Sequence, residues 1–568
     1  DMNTHTSRAF PALSDAEIIA NTVMWNRLVS VCEEQANALL RVAFGAVVRE
    51  AGDLSAGVFD AQGRMMAQAV TGTPGHVNTM ARSVNAMLAK VPADSLREGD
   101  VLVTNDPWLG AGHIFDFVVV TPVFRKDVLV AFMASTCHIV DVGGLGWSAE
   151  GRSVFEEGVL IPVMHLRRSG AINQDLLGIV AANSRVPQEA RGDIISLMTC
   201  NDEGARRLLE LMAEYDLDGL STLAGFIFTR SEAAAEAAIR AVPEGVFRNE
   251  IWLDGYDAPI RLCAEMRLRD GRISVSLDGS SPALEKGINC PLTYSQAYAS
   301  FGIRAALAPH VPNNHASLGL IDIDAPSGLI VSAQWPSPVT ARHVVGQALP
   351  DLMLGCLAQA LPDKVLAESA GALWVLAISG AGAQPFASLN VALGGMGARP
   401  DADGLSTTAF PSGVGSVPVE VAESVAPLIF HRKEFAPDSG GAGQYRGGLG
   451  QEIEVAAAEP GREMQLSAAA FERLKSGAGG RSGGQAGAPG RAEVRHADGR
   501  VTVIDSKGLY PIPAGARLWV QTPGGGGFGP PSARTPEATA RDRRHELIAD
   551  HPSGADQTSK NTPAGGTT

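Results

Sequence analysis

Cysteine is scarce and scattered: Cys32, Cys137, Cys200, Cys263, Cys290 and Cys356 are the six in 568 residues, and no two form a C-x-x-C pair. Neither a disulfide framework nor a thiolate zinc site is expected from that spacing. No apolar run approaches the ~18 residues that a membrane helix needs. The first residues, DMNTHTSRAFPALSDAE, are polar and lack the hydrophobic segment of a secretory signal. Positive charge is in deficit, with 46 Lys and Arg against 61 Asp and Glu and a net charge of −15. That balance argues against a duplex nucleic-acid partner, whose phosphates need clustered Lys and Arg. No G-x-x-x-x-G-K-[ST] occurs anywhere, so the chain has no P-loop of its own. These absences predict a reduced, cytoplasmic chain that meets neither membrane nor nucleic acid.

What remains is long enough for two or more domains. Apolar residues recur at helical spacing over 15–50, 76–91 and most of 185–241. Between the first two helical stretches, 53–69 alternates as a hairpin around Ala61-Gln62-Gly63. The runs FVVVTPVF (117–124) and VLVAFMAST (128–136) read as a second hairpin. After Pro243 short strands and Gly/Pro turns dominate. The expected fold class is α+β: a helix-and-hairpin region over 1–240, a β-rich and Gly-rich region over 241–530, and a mobile C-terminal tail over 531–568.

The densest chemistry lies in TNDPWLGAGHIFD (104–116) and CHIVDVGGLG (137–146). Each holds His-x-x-Asp: His113 with Asp116, and His138 with Asp141. In an antiparallel hairpin centred near Arg125-Lys126, residues whose numbers sum to about 251 lie opposite each other, which pairs His113 with His138. Two imidazoles and one or two carboxylates suit a catalytic divalent ion such as Zn, Mn or Fe with an open coordination position. The plainer alternative is a pair of hydrogen-bonding histidines at a strand end.

These two segments, with FEEGVLIP (155–162), PDSGGAGQYRGGLG (437–450), FERLKSGAGG (471–480) and TPGGGGFGPP (522–531), together resemble the hydantoinase B/oxoprolinase family. The resemblance runs in order from about residue 15 to 535. It implies the B-type, metal-bearing subunit of an ATP-dependent hydrolase of cyclic amides. Its implied partner is an A-type subunit that holds ATP and Mg and activates the substrate oxygen. A ketone carboxylase subunit is the alternative within the same family. Carried over by position, His113, Asp116 and His138 match metal ligands, and Asp53 is a fourth candidate that equally suits a turn. Asp141 is expected to orient a ring nitrogen of a ligand. His76 fits a general base or substrate contact, or else a helix cap. Glu157, beside Glu156, fits a carboxylate facing the site, or else half of a solvated pair. DGSSPALEKGIN (278–289) departs from the family pattern, whereas Glu420 and Glu423 keep it.

Two other matches are discounted. Gly524-x-Gly526-x-x-Gly529 has no βαβ unit around it and reads as a glycine turn. GRSGG (480–484) sits in a glycine-rich loop rather than at a strand-to-helix elbow.

Overall fold

The apolar runs of the first 240 residues become one sheet because each strand has two faces to bury. The computed structural model describes residues 13–549 apart from 71–72 and 382–384. Seven strands, β1 (Leu54–Asp60), β2 (Met65–Gln68), β3 (Val101–Thr104), β4 (Asp116–Arg125), β5 (Val128–His138), β6 (Met164–Arg168) and β7 (Ala171–Ile172), form an antiparallel sheet in the order β2-β1-β5-β4-β3-β6-β7. Its residues alternate between two cores. Phe117, Val119, Ala131 and Met133 pack with Leu28, Leu39, Leu197 and Leu208 of the helices Asp15–Val42 and Pro187–Glu214. Val118, Val120, Phe132 and Ala134 pack with Met80, Val84 and Met87 of the helix Pro74–Lys90. A strand covered on both sides reads as an unbroken apolar run, and β4 is the example.

The β4–β5 hairpin turns at Lys126 and Asp127, with φ of 51° and 64°, as a two-residue primed turn requires. Because this turn lies one residue beyond Arg125-Lys126 the pairing moves by two, and a bulge at Val123/Phe124 moves it by one more, so that Asp116, not His113, lies directly opposite His138. The expected His113–His138 register is therefore corrected. His113 stands just outside the strand, three residues before its cross-strand position.

The helix Ser221–Arg240 ends where the chain changes texture. A four-stranded sheet follows, β11-β10-β9-β8, from β8 (Gly245–Leu253), β9 (Ile260–Arg269), β10 (Arg272–Ser276) and β11 (Ile321–Asp324). This second part is not purely β: the helices Leu292–Leu307 and Leu349–Leu357 pack against each other and against that sheet. The hairpin β12 (Trp374–Gly380) and β13 (Phe386–Ala392) begins a third sheet, and a five-stranded sheet completes the fold. No described helix is long and apolar enough to cross a membrane.

The glycines of the last third form no turn at 524–527. Gly524, Gly525, Gly526 and Gly527 donate in turn to the carbonyls of Ala488, Gly448, Glu368 and Gln485, at 2.9–3.1 Å. A Cβ on these four would meet backbone oxygen of Ser439, Met396, Gly479 and Ala442 respectively, at 1.8–2.3 Å. Consecutive residues thus face three neighbouring segments, and the fourth returns to the first, the recurrence of an extended threefold helix. Backbone packs on backbone with no room for a side chain. This stack also carries β12 and β13: Gly395, just past β13, donates to Pro523 O, and Ala370, just before β12, donates to Gly395 O.

Part of the expected mobile tail is anchored. The helix Pro536–Arg544 buries Asp542, which binds Arg534 and stands 3.5 Å from Arg446. Residues 550–568 lie outside the described residues.

Gly526→Ala is expected to lower stability by about 3 kcal/mol or more, because its Cβ would overlap a backbone carbonyl that cannot yield. Gly178→Ala, at an exposed position of the helix Gln174–Asn183 with nothing within 4 Å of its Cβ, should instead stabilise by roughly 0.5–1 kcal/mol. Denaturant midpoints of the two variants measure the contrast.

Candidate metal centre

The open end of the β4–β5 hairpin delivers the central carboxylate. Asp116 is fully buried and faces four side chains. Its Oδ1 lies 2.8 Å from His113 Nε2 and 3.2 Å from His138 Nδ1; its Oδ2 lies 2.9 Å from His76 Nε2 and 2.5 Å from Arg342 Nη2. Burial alone would raise the Asp116 carboxyl, yet His76 and Arg342, which both face its Oδ2, hold it well below the usual carboxylate range. Burial, and then Arg342, lower His113 to about 3. A neutral His113 leaves Arg342 as the permanent positive charge beside Asp116.

His113 is fixed in one tautomer. Its Nδ1 lies 2.8 Å from Thr340 O, which only accepts, so Nδ1 carries the proton although Arg342 Nη1 is also within 3.2 Å. The lone pair then sits on Nε2, which is buried without a hydrogen-bond partner despite its closeness to Asp116. A donor nitrogen left bare, with the other ring nitrogen tied to a carbonyl, is the arrangement that suits a metal ligand. His113, Asp116 and His138 each offer one atom, and these atoms lie within 4.8 Å of one another. The donor set fits a divalent ion.

His76 sits in the first turn of the helix Pro74–Lys90, whose cap is the Thr73 side chain, so the alternative of His76 as a cap is corrected. Its Nδ1 is 3.4 Å from Asp53 Oδ1 and makes no hydrogen bond. Burial would lower the His76 pKa, but Asp116 and Asp53 outweigh it and the value is raised. Asp53 reaches this place because β1 pairs with β5 at Leu54↔Cys137, which sets it beside His138. It stands next to His76 rather than within the three-residue group.

Two expectations are corrected in role. Asp141 meets no histidine: it accepts from Gly143 N and the side chain of Arg185 at 3.1 Å, and also from Arg185 N. Glu157 is buried rather than solvated, but it acts at one remove. Its Oε1 accepts from Val339 N at 2.6 Å and Thr340 N at 2.8 Å, fixing the carbonyl that orients His113. Burial pushes the Glu157 carboxyl up to about 7.

A cavity of about 70 Å³ opens beside the group. Asp53, His76, His113 and His138 line it together with Arg342, His343, Tyr294 and Tyr298 from the second half of the chain. Arg342 also donates to Ala111 O and lies 4.3 Å over the Tyr294 ring. His343 donates from Nε2 to Leu373 O, and burial lowers it to about 3. Sequence reasoning missed both. Their signal is an Arg-His pair in the otherwise apolar VTARHVVGQ (339–347), and nothing local shows that it lands on Asp116.

Residues 17–531 match the model of one family, hydantoinase B/oxoprolinase. The chain belongs to that family. Among its hydantoinase B/oxoprolinase relatives is the B component of a putative D-/L-hydantoinase from Pseudomonas sp. (strain NS671), 27% identical, with 94% of each chain covered. The beta component of the caprolactamase of Pseudomonas jessenii is 26% identical, covering 94% of this chain and 95% of that one. 5-Oxoprolinase 1 of Arabidopsis thaliana is 26% identical over 92% of this chain, which spans 43% of that longer protein. The fold matches the crystal structure of the ATP-dependent caprolactamase from Pseudomonas jessenii with a TM-score of 0.84 at 24% identity, over 94% of this chain and 95% of that one. It matches the nucleotide-free acetone carboxylase structure with a TM-score of 0.83 at 18% identity, over 94% and 78%.

The Glu157 shift has a sign that can be checked. Its folded pKa of about 7 lies above the ordinary 4.5, so the folded state holds the proton more tightly. Stability should therefore fall as pH rises from about 4.5 to about 7, by at most about 3 kcal/mol. Glu157→Gln keeps an acceptor for Val339 and Thr340 and should flatten that part of the profile, read as denaturant midpoint against pH.

Proposed function

We propose that this chain is the metal-bearing B-type subunit of an ATP-dependent hydrolase of cyclic amides. The observation that supports this reading is the bare, tautomer-fixed Nε2 of His113 beside Asp116 and His138. His113, Asp116 and His138 hold the divalent ion (Zn, Mn or Fe), with Asp53 as a further ligand or proton acceptor. When bound, such an ion supplies Lewis acidity toward a carbonyl oxygen and toward water. An A-type partner holds ATP and Mg and activates the amide oxygen, which offsets the resonance that otherwise makes the amide carbon a poor electrophile. In this chain His76 is the group that moves protons: its Nε2 is tied to Asp116, and its Nδ1, free of hydrogen bonds, faces Asp53. Arg342 keeps Asp116 ionised and in place. The fold shared with acetone carboxylase supports a second reading, carboxylation of a ketone by the same group.

His138→Ala, purified with its A-type partner, should lose the divalent ion, from about one per chain to near zero, and lose ATP-dependent ring opening by at least about 100-fold. The fold should remain, since β5 keeps its pairing. Elemental analysis and turnover with intact metal content and full activity would sink the assignment. Strict bicarbonate dependence on a ketone would select the second reading.

A further inference from the structure

The cavity has two unlike kinds of lining. Besides the histidines and Arg342, its wall includes Leu373, Val375, Leu389, Val391 and Val414, while Trp147 stands edge-on against His113 and His138. Val375 and Val391 are direct cross-strand partners in β12 and β13, and Leu389 shares the face of Val391 two residues away. Two polar side chains near this wall are already engaged. Gln347 accepts from Leu373 N and donates to Tyr298 Oη, and His343 Nε2 donates to Leu373 O. Among the described residues, Arg342 is the one Lys or Arg lining the cavity, and its guanidinium is spent on Asp116, Ala111 O and the Tyr294 face.

From this geometry we infer that the β12–β13 wall selects a small cyclic amide whose ring body is uncharged and apolar, and excludes one carrying a carboxylate. The inference rests on the cyclic-amide reading above and narrows it. The volume of about 70 Å³ suits a small ring. The reacting carbonyl belongs at the polar side, and the methylene groups then lie on valine and leucine. A carboxylate on the ring would face that wall with no cation to pair it, which costs far more than the methylene contacts return. Val391 and Leu389 are the specificity-determining residues because they project from β13, whose end the glycine stack holds in place.

The test compares 2-pyrrolidone with 5-oxoproline, which differ only by the carboxylate, on the chain complexed with its A-type partner and loaded with divalent metal. Calorimetric Kd for each compound is measured beside ATP-dependent ring opening. The inference expects 2-pyrrolidone to bind at least tenfold more tightly and to show the higher kcat/KM. Val391→Lys should reverse the preference by supplying the missing cation. Equal or tighter binding of 5-oxoproline by the unsubstituted protein overturns the inference, whatever Val391→Lys does. Selective 2-pyrrolidone binding with no ATP-dependent opening of any cyclic amide upholds the pocket's selectivity and overturns the hydrolase reading alone.

Discussion

Asp116 is a carboxylate with no contact with solvent, and an ion in that position is tolerated only where opposite charge and hydrogen-bond partners replace the lost water. Arg342 supplies the charge, and it comes from a segment 226 residues further along the chain. Removing one member of such a pair costs about 3–5 kcal/mol, because the other is left buried and uncompensated. The pairing therefore does more than tune a carboxylate. It obliges the segment 339–343 to lie across the mouth of the β4–β5 hairpin. That placement in turn sets Thr340 O on His113 and His343 on the cavity wall.

Much of this was legible in the sequence, because the informative patterns are local. The two-face burial of β4 and β5 produces the unbroken apolar runs that mark them, and the primed turn falls at Lys126-Asp127, beside the predicted centre. His113, Asp116 and His138 stand out because His-x-x-Asp repeats across one hairpin. What the pattern hides is the one-residue displacement of the turn and the bulge at Val123/Phe124, which together change which side chain faces His138. The roles of Asp141 and Glu157 were hidden for a different reason. Each is decided by a partner far off in the chain, Arg185 in one case and the Val339–Thr340 backbone in the other.

The glycines show how the same residue type misleads when read locally. Gly524–Gly527 suggests a turn or a phosphate cradle, yet each of its N–H groups is spent on a neighbouring carbonyl. Arg446, which follows the glycines at 440, 441 and 443, is buried against Gly447 O and near Asp542. Glycine is required here for close approach of extended backbones rather than for positive φ or for a ligand. The consequence reaches the cavity, since β12 and β13 are carried on this rigid stack.

Two kinds of rigidity thus meet at one cavity. Around His113, Asp116 and His138, geometry is set by charge and tautomer: Glu157 holds Thr340, Thr340 holds the proton of His113, and the bare Nε2 follows. At the β12–β13 wall, geometry is set by strands tied to a backbone stack that admits no side chain. Chemistry at the first side and selection at the second can then vary independently. A change at Val391 or Leu389 alters which ring body fits without touching the donors, whereas a change at Glu157 or Arg342 alters the donors without touching the wall. A family whose fold is shared by a caprolactamase and an acetone carboxylase is what such a separation allows.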